Sequence, residues 1–426
     1  MADPTLDSRN RPVVVVTGMG VLTSLGRGKQ ENWRRLVAGE SGIHRISRFP
    51  VAGLRTTIAG TIDFVPVDEL SAPALTETLA GLAAEEALAE SGIGAPGEFP
   101  GPLMVAMPPV EMEWPQRVAI AAAAGAGNAP VTWMDLVRAA SEGQFSAWSE
   151  RFLFGSIPQH LADRFGTRGS PIATSTACSS GATAIQLGVE AIRNGEAEAA
   201  LVVGTDASVN PESLIRFSLL SALSTRNDPP EAAARPFSRD RDGFVMAEGA
   251  GALVLESFAH ARARGAEILG VVEGCGEMAD GFHRTRSSPD GKPIIACMRH
   301  ALEDAGLAPD AIGYVNAHGT GTPENDKMEC LGLSAVFGEH AGSLPVSSNK
   351  SMIGHTLSAA GAVEAIFTLL ALRCGVLPPT INYQTPDPAL PIDCVPNVAR
   401  DLRVAHAISN SFGFGGQNAC LVLGAL

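Results

Sequence analysis

Ile172-Ala-Thr-Ser-Thr-Ala-Cys178-Ser-Ser-Gly-Ala-Thr-Ala-Ile185 is the stretch from which the architecture can be read. A β-prone start ends in small residues, and a helical pattern begins at or just after Cys178, so the segment reads as strand, sharp turn, helix. Ala177, Ser179, Ser180 and Gly181 are small enough to permit the turn and a close approach of substrate. A thiol at a helix N-terminus faces unpaired N–H groups and the positive end of the dipole, and both favour the thiolate. The same N–H groups can stabilise an oxyanion. On this motif alone a reactive thiol and a structural one both fit.

The same alternation continues on either side. Apolar runs such as Val13–Val16, Ala199–Val203 and Ala252–Leu255 alternate with Ala-rich helical patterns at 76–89 and 182–193. Continuous apolar strands separated by helices predict a sheet buried on both faces, hence an α/β protein. An internal repeat is visible: Val15-Val-Thr-Gly-Met-Gly20 resembles Val271-Val-Glu-Gly-Cys-Gly276, and the pattern from Gly181 to Gly195 resembles that from Gly361 to Gly375. It predicts two similar halves, 11–258 and 259–426, with equivalent helices facing each other. The motif spacing is 163 residues in the first half and 87 in the second, which places insertions around residues 95–160.

Composition excludes several function classes. A net charge of −14 argues against a binder of the nucleic-acid backbone. Seven scattered cysteines without metal-ligand spacing predict reduced thiols and a cytoplasmic setting. Arg9 and Arg11 ahead of the apolar run Val13–Leu25 imitate a signal peptide, but Gly18, Gly20 and two threonines break it, so a buried first strand is expected. There is no uncharged run of 18 apolar residues, so no stable membrane insertion is expected. Gly18-Met-Gly20 with Gly26 lacks dinucleotide-binding spacing.

Three further segments carry chemistry. In Gly313-Tyr-Val-Asn-Ala-His318-Gly-Thr-Gly-Thr-Pro323 a strand delivers His318 to a loop whose Thr320 and Thr322 hydroxyls suit an amide-bearing ligand; a satisfied core histidine is the alternative. In Ser347-Ser-Asn-Lys350-Ser-Met-Ile-Gly-His355 a polar turn precedes an Ala-rich helix, where the dipole keeps His355 neutral and acting through an N–H. Lys350, if buried, needs an acidic partner, with Asp326 and Glu329 available. In Ser409-Asn-Ser-Phe-Gly-Phe414-Gly-Gly-Gln417 three glycines surround a bulky Phe, as a gate or a tight turn. One Cys and two His at strand ends suit thiol nucleophilic catalysis.

Thr176-Ala-Cys178-Ser-Ser-Gly, Arg235-Pro-Phe-Ser-Arg-Asp-Arg-Asp-Gly-Phe244, Asn316-Ala-His318-Gly-Thr-Gly-Thr-Pro, Asn349-Lys350-Ser-Met-Ile-Gly-His355 and Asn410-Ser-Phe-Gly-Phe-Gly-Gly416 together closely resemble β-ketoacyl-[acyl-carrier-protein] synthases of the KAS I/II type. The resemblance runs in order from Val13 to Leu423. It implies a thiolase-like fold of two duplicated α/β halves in a five-layer α-β-α-β-α core, acting as a homodimer with acyl carrier protein as partner. It implies decarboxylative condensation of an acyl-Cys178 enzyme with malonyl-[acyl-carrier-protein], giving the 3-oxoacyl product. By the same resemblance His318 and His355 hold the malonyl carbonyl, and the N–H groups of Cys178 and Phe414 form the oxyanion hole. Lys350 paired with Glu329 fixes the histidines, Thr320 and Thr322 bind the pantetheine arm, and Phe217, Phe244 and Phe414 line or gate the acyl pocket. No metal or redox cofactor is implied, since substrates ride on the carrier's phosphopantetheine.

Two departures stand out. Met104-Val-Ala-Met-Pro-Pro-Val-Glu-Met-Glu-Trp-Pro115 replaces the family's Gly-rich turn, and Gln417 stands where Thr is usual. Both leave open whether the chain handles ordinary, very long or polyketide-like substrates. A non-catalytic chain-length-factor relative would lack Cys178; a degradative thiolase would use a second Cys in place of the Lys350–His355 segment; a Cys–His hydrolase gives no role to a second His.

Overall fold

The computed structural model describes residues 5–66, 71–125 and 130–426. In the first half, β1 (Val14–Thr23) leads to α1 (Ala72–Ser91), β2 (Leu103–Ala106), α2 (Trp114–Ala123), α3 (Trp133–Ser141) and α4 (Ser156–Phe165). β3 (Ile172–Thr174), α5 (Ser180–Arg193), β4 (Ala199–Asp206), α6 (Pro211–Leu219) and β5 (Gly249–Ser257) complete it. The second half holds β6 (Gly270–Ala279), α7 (Lys292–Ala305), β7 (Ile312–Asn316), α8 (Pro323–Phe337), β8 (Pro345–Ser347), α9 (Ala360–Cys374), β9 (His406–Phe412) and β10 (Gln417–Gly424).

The repeat seen in the sequence is a repeat of topology. The first half orders its strands β3-β2-β4-β5-β1 and the second β8-β7-β9-β10-β6. In each, the first two neighbouring pairs are parallel and the last two antiparallel. The halves fuse where Val14–Val16 pairs antiparallel with 270–272. The sequence therefore forms an α/β thiolase-like fold of two duplicated halves.

Strands β1, β4 and β5 are buried along their length because both faces are covered, and successive side chains enter opposite cores. Leu201 and Val203 of β4 face an outer core with Leu79 and Ala83 of α1 and Leu161 of α4, while Ala200 and Val202 face the middle layer. Val422 of β10 faces α7 and α8; Leu421 and Leu423 face the middle. That middle layer is α5 and α9. α9 buries thirteen of its fifteen residues, so its apolar composition, long enough to cross a membrane, is that of a core helix, 89% buried over Leu357–Cys374. β1 is likewise buried along its whole length, which accounts for the signal-like run.

The repeated Gly-x-Gly has a packing cause. A Cβ at Gly18 or Gly20 would lie 2.0 Å from the Ala87 or Ala83 carbonyl of α1, and one at Gly274 or Gly276 would lie 2.3 Å from the Ala301 or Cys297 carbonyl of α7. Only glycine lets each helix settle this close to its strand. The extra length of the first half is less localised than expected. It lies both in the excursion 24–71 between β1 and α1 and in the helical segment between β2 and β3, because the second half joins β6 to α7 directly.

Candidate active site

Cys178 sits in a 3-10 turn, Ala177–Ser179, between β3 and α5. Ala177 is left-handed there, at φ +50°, an uncommon conformation for a residue with a Cβ. The second half repeats the device: Leu357, at φ +47°, opens the turn Leu357–Ala359 ahead of α9. Ser358 thus occupies the place of Cys178 in the other half. The side chains of Ser179 and Ser180 tie the turn by donating to the Thr176 and Ala177 carbonyls at 2.7 and 2.6 Å.

Three chemically distinct groups converge on this turn. His355 Nε2 lies 3.1 Å from Cys178 Sγ. The His318 and His355 rings meet edge to face with centroids 5.3 Å apart. The Phe414 backbone N–H points at the thiol. His355 takes its place because its own N–H donates to the Val245 carbonyl at 2.7 Å and its carbonyl accepts from Ala247 N–H at 2.9 Å. His318, Lys350 and His355 are each 2% exposed.

Hydrogen bonds fix the histidine tautomers. Leu357 N–H donates to His355 Nδ1 at 3.3 Å, so a neutral His355 carries its proton on Nε2, facing the sulfur. Lys350 Nζ lies 3.4 Å from His318 Nδ1; the ammonium donates there, and His318 too presents Nε2–H. Burial first, then the Lys350 charge, holds both histidines well below the ordinary imidazole value. The expected neutral His355 is found, with burial rather than a helix dipole as its main cause.

Two expectations need correction. Burial pushes the Cys178 thiol up to about 11, against the smaller opposing pull of the Phe414 N–H and Lys350. The turn therefore does not yield a resting thiolate, because removing sulfur from water outweighs nearby dipoles. Lys350 also does not pair with Glu329: its ammonium meets the Glu364 carboxylate of α9. Glu329 instead accepts the N–H groups of His318 and Gly319 at 2.8 and 2.7 Å and the Asn410 amide at 3.1 Å. It clamps the backbone beneath His318. Asp326, the other acid considered, accepts from the N–H groups of Phe237 and Gly321 at 2.7 and 3.1 Å.

Glu364 is a site residue that the motifs alone did not indicate, although a lone acid within the apolar helix 360–374 was a usable signal. Asp206 is another. Buried at the end of β4, its carboxylate accepts N–H from Ser208 at 2.9 Å and from Ser358 at 3.1 Å, linking the first half to the start of α9.

Two cavities meet at Cys178 and Phe414. One, of about 590 Å³, contains Thr320, Thr322, His318 and His355 and opens past Arg284, Arg286 and Lys327. The other, of about 580 Å³, runs past Met107–Glu113 and α6. Phe217 and Phe414 line both cavities. The Phe217 ring stands 6.5 Å from Phe414 and 5.4 Å from Phe244, which in turn lies 5.2 Å from His355. The thiol and imidazole donor atoms lie within 4.8 Å of one another, close enough for a soft cation as well, but the adjacent Lys350 ammonium opposes one.

Comparison with known proteins decides among these chemistries. Residues 11–261 match the N-terminal domain of β-ketoacyl synthases and residues 269–384 the C-terminal domain. The chain belongs to the β-ketoacyl synthase family. It is 37% identical over 424 residues to a 3-oxoacyl-[acyl-carrier-protein] synthase 2 from Coxiella burnetii, covering 96% of this chain and 98% of that one. It is equally identical, over 427 residues, to the ketoacyl synthase alpha subunit of the tetracenomycin polyketide synthase from Streptomyces glaucescens, covering 96% of each. Among solved structures, a type II polyketide carrier protein in complex with its hexaketide-bound ketosynthase matches 98% of this chain and 100% of that one, with TM-score 0.85 and 31% identity. The ishigamide ketosynthase/chain length factor matches with TM-score 0.83 and 34% identity, covering 98% of this chain and 100% of that one. This ketosynthase is an acyltransferase that elongates chains by condensation in fatty acid or polyketide synthesis.

Proposed function

We propose that Cys178, His318 and His355 carry out a decarboxylative Claisen condensation between a carrier-bound acyl chain and malonyl-[acyl-carrier-protein]. The observation that carries this reading is the convergence of one thiol and two Nε2–H imidazoles where two cavities meet. One cavity suits the pantetheine arm beside Thr320 and Thr322; the other suits the acyl chain beside Phe217 and Phe244. In the first half-reaction Cys178 Sγ bonds to the acyl carbon, the carrier thioester bond breaks, and the thiol proton leaves with the pantetheine sulfur. The N–H groups of Cys178 and Phe414 hold the oxyanion.

In the second half-reaction the two Nε2–H groups hold the malonyl thioester oxygen while carbon dioxide departs, leaving an enolate. Its carbon attacks the Cys178 thioester, the C–S bond breaks, and the released sulfur takes a proton. The product is longer by two carbons. The Lys350–Glu364 pair keeps His318 in the donating tautomer, and no step calls for a metal.

We also propose a homodimer of chains divided at 258/259, resident in the cytoplasm. Its supports are an open sheet edge at β3 and seven cysteines without a disulfide. Replacing Cys178 by Ala is expected to abolish acyl transfer from acyl-carrier thioesters, read as the loss of the acyl adduct by intact mass. His318→Ala is expected to retain that adduct while losing malonyl decarboxylation. Acylation of the Cys178 variant, or undiminished condensation by the His318 variant, contradicts the assignment.

A further inference from the structure

His355 is the inner member of three plies of backbone that lie outside the regular strands. Its N–H and carbonyl engage Val245 and Ala247, and its ring meets the edge of Phe244, so the segment 244–248 grips both its backbone and its ring. That segment is held in turn by 60–62. Gly60 N–H donates to the Met246 carbonyl and Glu248 N–H to the Gly60 carbonyl, each at 2.9 Å. The Glu248 side chain completes the hold: its Oε2 accepts Ile62 N–H at 2.8 Å and meets the Arg48 guanidinium. Arg48 Nε also lies 3.0 Å from Asp63, which takes the Thr61 hydroxyl at 2.8 Å and faces His44 Nε2 at 3.0 Å. Glu248 is fully buried, and its Oε1 has no hydrogen-bond partner among the described residues. Burial pushes its carboxyl up to about 7, against the opposing pull of the Arg48 charge. A buried charge pair is costly, and this one stands one residue from the backbone that fixes His355.

We propose that Glu248, paired with Arg48, is a positioning residue for His355, holding its Nε2–H on the malonyl thioester oxygen while carbon dioxide departs. The inference rests on the ketosynthase reading above. Malonyl decarboxylation needs two imidazoles converging on one oxygen, so a small drift of one ring misdirects its donor. Acylation of Cys178 draws on backbone N–H groups instead and tolerates that drift. When Glu248 takes a proton, the attraction to Arg48 that draws the outer plies together is lost. Ionised Glu248 is therefore the working form, and the second half-reaction weakens as pH falls through about 7. Neither histidine titrates there, since both lie well below the ordinary imidazole value. Glu364 does, because burial pushes it up to about 7 as well, but it faces Lys350 rather than Arg48.

The test measures kcat and KM for malonyl-carrier decarboxylation on both sides of neutral pH, with acyl loading of Cys178 read by intact mass. The variants are Glu248→Gln, which keeps an acceptor for Ile62 N–H and removes the charge, and Arg48→Gln. On the alkaline side Glu248→Gln is expected to lower kcat about tenfold or more, with KM and loading little changed. Arg48→Gln is expected to move the acid limb of kcat to higher pH, because Glu248 loses the charge that favours its ionised form. A limb belonging to Glu364 would stay in place. Unaltered kcat in Glu248→Gln overturns the proposal, and so does an acid limb that Arg48→Gln fails to move. A parallel fall of loading and decarboxylation with a lower Tm also overturns it, marking the pair as a structural clasp. Should Glu248→Gln misfold, the limb of Arg48→Gln still decides. An unaltered enzyme that neither loads an acyl chain nor decarboxylates malonyl thioester would instead sink the ketosynthase reading.

Discussion

The Cys178 thiol carries its proton at neutral pH because enclosure of Sγ costs the anion more than the Phe414 N–H and Lys350 return. In the proposed acyl transfer the thiolate must then form as the acyl group arrives. This gives a pH signature. A simple alkylating probe that reacts only with thiolate should label Cys178 faster by about tenfold per pH unit on the alkaline side, with no plateau until pH approaches the raised value of about 11. A plateau near the ordinary thiol value would contradict the burial argument. At this scale the sequence was informative about which residues meet and less so about their charge. Strand-end placement located Cys178 and His318, since small residues and turns mark such ends locally, whereas His355 follows a short helix, Lys350–Ile353, rather than a strand. The Lys350 partner was misassigned because ion pairing depends on which helix lies across the gap. Glu364, on α9, wins over Glu329, which is occupied by backbone N–H groups.

Among the elements, α5 and α9 set the geometry that those residues use. They touch at Gly181 and Gly361. A Cβ on Gly181 would lie 2.5 Å from Ala362 N, and one on Gly361 would lie 2.3 Å from Ala182 N. These atoms belong to helix backbone and cannot swing aside, so the helices themselves would have to part. Each helix begins just after a left-handed residue, Ala177 or Leu357, and those turns carry Cys178 and Ser358. Gly361→Ala is therefore expected to destabilise the fold by about 1–3 kcal/mol or more, lowering Tm. It should also reduce condensation, since α9 carries Glu364 and adjoins His355. Gly342→Ala, where an added Cβ meets nothing within 4 Å, should leave Tm and rate unchanged. Equal Tm for the two variants would show that the helix contact is looser than the backbone distances imply. The repeat that pointed to this contact was legible because glycine leaves a mark in the sequence wherever two backbones must approach. The two-part distribution of the insertions left no such mark, since surface excursions are constrained mainly by their ends.

For the whole molecule, the two ends of the long sheet differ. At the β8 end the last strand pairs with Asp393–Cys394, Cys394 is buried, and Asp393 is closed off by Arg400 with bonds of 2.6 and 2.8 Å. At the other end β3 has no outer neighbour among the described residues, and Ile172 at its start is 45% exposed. The segment joining β2 to β3, at this same end, bares Trp114, Trp133, Met134 and Leu153 at 65, 75, 62 and 57% exposure. A free strand edge beside a set of exposed apolar side chains is an aggregation hazard unless something covers it. In the proposed homodimer a second copy covers it, each β3 edge meeting the other across a two-fold axis. The purified chain should then sediment as a dimer. Ile172→Lys should shift it toward monomer on dilution, and Leu426→Lys, at a residue more open to water at 74% but outside this end, should not. A monomer at every concentration would reject self-association and leave this face to a different chain. A dimer insensitive to Ile172 would move the interface away from the β3 edge. The outcome bears on the active site directly, because the 107–113 loop that walls the cavity proposed for the acyl chain leads into this same uncovered segment. What closes that end of the molecule therefore also backs one wall of that cavity.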